Sequence, residues 1–195
     1  MSVLILGLVL FLGMHSVRIV ADGARGRFIA QRGEGAWKGL YTLVSIAGFA
    51  LIVWGYGQAR QQPVVLWPSP VWARHLASLL TLVAFVLLVA AYVPRNGLKA
   101  RLHHPMVLGV KVWALAHLLA NNTLADLLLF GGFLVWAALS FRAARGRDRT
   151  AQTVYPAGTL AGTLITVVAG VVGWAVFAFW AHRAWIGVRP FGGAA

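Results

Sequence analysis

Apolar residues fall along this chain in six long runs, separated by short connections rich in Arg, Gly, Pro and Asn. The runs cover about Ser2–Ala21, Trp37–Tyr56, Arg74–Val93, Pro105–Ala120, a stretch from the Asn121-Asn122-Thr123 turn to about Phe141, and Gly158–Trp180. A helix needs roughly 20 apolar residues to cross the hydrocarbon core of a bilayer. The pattern therefore predicts six helical spans. Pro94 closes the third run and Pro105 opens the fourth, both ordinary places for a helix boundary. No Lys or Arg precedes the first run, which lacks the basic leader of a signal peptide and reads as a retained helix.

Composition agrees with that reading. Of 195 residues, 60% are hydrophobic and 11% charged, with a mean hydropathy of +0.78. A soluble domain has about 25% charged residues, so a water-soluble fold of this size could not cover its surface. Disorder needs low hydrophobicity and is excluded too. The expected architecture is an all-α, polytopic transmembrane helix bundle, one integral membrane domain over residues 1–195. The absence of cysteine removes disulfides, thiolate metal sites and thiol nucleophiles.

Seventeen Lys and Arg against four acids give a net charge of +13. The cations gather in alternate connections. Arg25, Arg27, Arg32 and Lys38, then Arg95, Lys99 and Arg101, then Arg142, Arg145, Arg147 and Arg149 lie on one side. Arg60, Arg74, Arg183 and Arg189 lie on the other. The positive-inside rule makes the first side cytoplasmic and places both termini outside. The same clustering points to lipid rather than nucleic acid as the partner. Gly158 and Gly162 form a GxxxG step, and Gly131-Gly132 sits within a run; both suit close helix packing.

Polar side chains at membrane depth are costly and need a partner or a task. His15, Arg18, Lys111, His117 and Asp126 are such residues, with His104 and Asn121 at the ends of the fourth run. Imidazoles in two apolar helices suit the axial positions of a b-type haem, whose iron accepts neutral histidine nitrogen. Arg18, three residues after His15, could face a haem propionate, and Trp113 shares a helix face with His117. The plainer alternative makes each histidine a hydrogen-bonded packing residue. Asp126 has two readings as well. It could orient His117 through its second ring nitrogen, or it could form a capping box with Thr123, which the motif favours. Lys111 would need a carboxylate, a carbonyl or water. His103-His104 is a weak metal pair because adjacent side chains diverge, and His75 and His182 fall near interfaces. There is no Walker A loop, no HExxH and no nucleophile elbow. Any chemistry would thus belong to a bound cofactor.

The string His104-Pro105-Met106, Gly109-Val110-Lys111, Trp113-Ala114-Leu115-Ala116-His117, Asn121 and Leu124-Ala125-Asp126-Leu127 resembles the NnrU family of membrane proteins. His15-Ser16, Arg32-Gly33-Glu34 and Trp37-Lys38-Gly39-Leu40-Tyr41 fit it as well, so the resemblance covers about residues 1–145. It implies a bacterial inner-membrane protein of denitrification and nitric oxide metabolism. The chain is also similar to the plant zeta-carotene isomerases, understood as haem b enzymes with two histidine ligands, which would fall on His15 and His117. Those isomerases carry a cysteine where this chain has Ala114. The expected function is haem b binding in nitric oxide metabolism. The alternatives are a haem-dependent cis–trans isomerase acting on a carotenoid-like polyene, and a haem-free accessory protein.

Overall fold

The computed structural model describes residues 1–191. Its helices are α1 (Ser2–Val20), α2 (Asp22–Arg32), α3 (Glu34–Ala59), α4 (Val71–Tyr92), α5 (Gly97–Leu102), α6 (Pro105–Ala120), α7 (Leu124–Thr150), α8 (Leu160–Val176) and α9 (His182–Ile186). A single π-helical stretch, Phe177–Ala181, joins α8 to α9. Among the described residues, five segments are long and apolar enough to cross a membrane: α1, α3, α4, α7 and Leu160–Ile186. The sixteen-residue α6 is a shorter apolar helix, about 24 Å long at ~1.5 Å per residue. The expected all-α membrane protein is what the structure contains.

Two features differ from the pattern. The first and second cationic connections are largely helical, forming α2 and α5. Neither carries a buried residue, so their polar sequences left no apolar stripe to reveal them. α7 also continues past Phe141 to Thr150, running through Gly146, with no Pro in the Arg-rich stretch to end it sooner.

The chain divides into two compact units, Met1–Pro68 with Asn122–Ala143, and Ser69–Asn121 with Ala144–Ala195. In the first, α1 and α3 touch backbone to backbone. A Cβ added at Gly55 would stand 2.3 Å from the Leu4 nitrogen, one at Gly7 2.6 Å from the Ile52 nitrogen, and one at Gly48 2.7 Å from the Phe11 nitrogen. Small residues are how membrane helices approach closely when no hydrophobic driving force separates protein from lipid. The start of α7 joins them through Phe133 against Phe11 and Phe130 against Tyr56. The segment after α3 pairs with the turn before α7 through Leu66 N to Asn122 O at 2.8 Å and Leu124 N to Val64 O at 2.9 Å.

In the second unit α4 is central, packed by α6 and α8. Trp174 donates its indole proton to Thr81 at 3.1 Å, tying α8 to α4. The GxxxG step is not a helix-packing motif here, because Gly158 precedes the N-cap of α8 and both glycines instead admit the backbone of the α4–α5 connection. A Cβ at Gly158 would meet Gly97 at 2.4 Å, and one at Gly162 would meet the Arg95 carbonyl at 2.7 Å.

Candidate functional site

In the first unit, His15 stands on the C-terminal half of α1 and is partly buried. Its Nδ1 lies 2.7 Å from the carbonyl oxygen of Phe11, one helical turn back. A carbonyl only accepts, so Nδ1 carries the proton and Nε2 carries the lone pair. The Phe11 ring stacks on the imidazole at 4.1 Å, and Tyr41 of α3 stands 5.0 Å away. Trp136 of α7 meets it edge-on at 5.9 Å. The indole Nε1 of Trp136 is buried and, among the described residues, has no hydrogen-bond partner. A buried donor of this kind is rare and costs about 1–3 kcal/mol.

The second unit repeats the device on α6. Nδ1 of His117 lies 2.9 Å from the carbonyl oxygen of Trp113, again four residues back, with the two rings 5.1 Å apart. His117 therefore has the same tautomer, with the lone pair on Nε2. The helix ends one turn later, where Asn121 gives both its backbone N–H and its side-chain amide to the His117 carbonyl, each at 2.9 Å. Three residues of the fourth run, Trp113, His117 and Asn121, are thus linked in series by bonds of one turn.

The other sequence-derived candidates are placed as follows. Arg18 points toward the exposed end of α1 and pairs with Asp22 at 3.8 Å. Asp126 is 5% exposed and holds the start of α7. Its Oδ2 accepts from Thr123 N at 3.0 Å, while Asp126 N donates to Thr123 Oγ1 at 3.2 Å, which is the capping box. Its Oδ1 accepts the phenolic proton of Tyr56 at 2.5 Å. Tyr56 was not foreseen, because the pairing joins residues 70 apart. Lys111 is exposed on α6, six residues, or about 9 Å, from its start.

His104 caps α6 rather than standing within it. Its Nε2 donates to Asp148 Oδ2 at 2.7 Å, and Tyr155 donates to the same oxygen at 3.0 Å. Arg145 lies 3.9 Å from that oxygen and also donates to Nδ1 of His103. The His103 ring stacks flat on Tyr155 at 4.2 Å. Desolvation first, and then the bond to Asp148, push the Tyr155 phenol above its ordinary value, so it stays a donor at neutral pH. This cluster was missed because Tyr155 and Asp148 lie in a polar stretch with no motif. Among the described residues, no group of three His, Cys, Asp or Glu side chains is arranged to hold a metal ion.

A family model described as NnrU protein matches residues 3–190. The chain belongs to the NnrU family. The match extends past residue 145 and takes in the last span, so the family domain includes α8 and α9. No curated protein and no solved structure matches the chain. This NnrU-family membrane protein carries two helix-borne histidines, each bonded through Nδ1 to the carbonyl of an aromatic residue one turn earlier.

Proposed function

We propose that this NnrU-family membrane protein serves nitric oxide metabolism in denitrification as a haem b protein, with His15 and His117 as its ligand histidines. The observation that carries this reading is the repeated tautomer. Both imidazoles spend their Nδ1 proton on a backbone carbonyl, which leaves Nε2 as the basic nitrogen. Ligand histidines in metal proteins are oriented in this way, and the second bond raises their basicity. The partnerless indole N–H of Trp136 beside His15 adds a donor that a bound group would use.

Haem would supply redox chemistry and an affinity for nitric oxide at its iron. The chain's own residues orient the two imidazoles and surround His15 with aromatic rings. The link to nitrogen oxides rests on family membership. At the position of the isomerase cysteine, Ala114 is fully buried and offers no ligand atom. The proposed role therefore involves no thiolate exchange.

The test is the absorption spectrum of the detergent-purified protein, oxidised and dithionite-reduced, with a pyridine haemochrome assay. The expected result is a reduced haem b spectrum near one haem per chain, lost or strongly altered in His15→Ala and in His117→Ala. A colourless protein from haem-supplemented cells overturns the reading and makes both histidines packing residues.

A further inference from the structure

Where α4 gives way to α5, the second unit forms an open surface cavity of about 240 Å³, with Arg95 exposed at its rim. Arg95 and Lys99 line it, and no carboxylate does. Lys99 gives one ammonium proton to the Ala91 carbonyl at 2.9 Å, out of three donors. Among the described residues neither cation is paired with an acid. Asp22 serves Arg18 and Arg25, Glu34 serves Lys38, and Asp148 serves His104 and Arg145. Asp126 is held by Tyr56 and Thr123. With only four Asp and Glu in the chain, none of these side chains among the described residues remains for the cavity.

The frame around the two cations is fixed. Asn96 is 1% exposed. It donates to the carbonyls of Ala90 and Val93, and its Oδ1 accepts from Lys99 N at 2.8 Å. The Arg95 carbonyl accepts from Thr159 N at 2.7 Å, and Gly97 N donates to Thr163 at 2.9 Å. The remaining wall is apolar, made by Pro94, Pro156 and the Tyr155 ring, whose hydroxyl is turned to Asp148.

We propose that this cavity binds a phosphate group on a short organic stem. Arg95 and Lys99 would make charge-assisted bonds to its oxygens, and the proline and tyrosine wall would cover the stem. The connection is one of the cationic ones, so an anionic lipid headgroup is one source of that chemistry and a free phosphate the other.

The test titrates fluorescent phosphatidylglycerol, against phosphatidylcholine of the same tail, into the full chain in neutral detergent. Arg95→Gln/Lys99→Gln is expected to weaken the phosphatidylglycerol signal at least tenfold. Arg27→Gln/Arg32→Gln removes the same charge from α2 and is expected to change it less than twofold. Ala100→Leu fills the cavity and keeps both cations; it is expected to weaken binding likewise, and it stands in if the double variant fails to fold. Displacement of the lipid by inorganic phosphate at millimolar concentration, blocked in the cavity variants, assigns the site to a free phosphate. Retention of the lipid assigns it to the headgroup. Equal loss in both charge variants, or no preference for phosphatidylglycerol in the unaltered chain, overturns the proposal.

Discussion

The Nδ1 of His117 and the carbonyl oxygen of Trp113 lie 2.9 Å apart, which decides the tautomer of an imidazole inside an apolar helix. The bond uses the Trp113 backbone, so the Trp113 ring can be removed without losing it. Trp113→Leu is expected to keep the haem content and the reduced spectrum close to those of the unaltered protein. Haem should be released at a temperature several degrees lower, because a packing wall is gone. Loss of most of the haem in this variant would assign the ring itself to cofactor binding.

Trp136 makes the opposite case. Its buried indole N–H has no partner among the described residues. An unsatisfied donor costs about 1–3 kcal/mol, so removing it does not harm the haem-free fold. Trp136→Phe should leave the melting temperature of haem-free protein unchanged or raise it, and should speed haem loss from the loaded protein. The faster haem loss is the discriminating effect, since a purely structural tryptophan would produce only the first.

Tyr56→Phe deletes the 2.5 Å bond to Asp126 and leaves a buried carboxylate oxygen short of a donor. The expected cost is about 1–3 kcal/mol, or roughly 2–4 °C of melting temperature per kcal/mol for a chain of this size. Thermal unfolding followed by circular dichroism in detergent reads it. Asp126→Ala should cost more, since the capping box of α7 goes as well.

The glycine seam of α1 and α3 predicts a sharp contrast on one helix. Gly55→Leu forces a side chain onto the Leu4 backbone and should yield aggregated protein on fluorescence-detected gel filtration. Gly57→Ala, two residues on, meets nothing within 4 Å and should run as a sharp peak. Alanine's better helix propensity makes it neutral or slightly stabilising.

Tyr155 gives a prediction in pH. Its phenol is held above the usual value, first by desolvation and then by Asp148. A group whose folded pKa is raised contributes its full stability below its unfolded pKa, about 10, and loses it as pH climbs through the folded pKa. The difference in ultraviolet absorbance between the protein and Tyr155→Phe should therefore show a tyrosine titrating above pH 10. Asp148→Asn should bring that titration down toward 10. A tyrosine already titrating at its ordinary value would show that Tyr155 does not hold Asp148.

Much of the fold was legible because a bilayer reads local sequence. Each long apolar run became a helix, and the Asn121–Thr123 turn and the Thr123–Asp126 cap formed where their residues stand. The two histidines were legible as costly polar groups in apolar helices. α2 and α5 were not, since their polar sequences give no buried face for periodicity to detect.

The sequence by itself determined the membrane class, the number of apolar helices and the residues whose burial needs an explanation, because hydrocarbon thickness and backbone hydrogen bonding act on contiguous residues. Only the tertiary structure decided that Tyr56 answers Asp126, that Asp148 gathers His104, Tyr155 and Arg145, and that Gly7, Gly48 and Gly55 form a seam. It likewise decided that Trp136 stands by His15 with its proton unspent. Those pairings depend on which faces of distant helices meet, and helix rotation and packing are set by side-chain shape across the whole bundle, which no local pattern encodes.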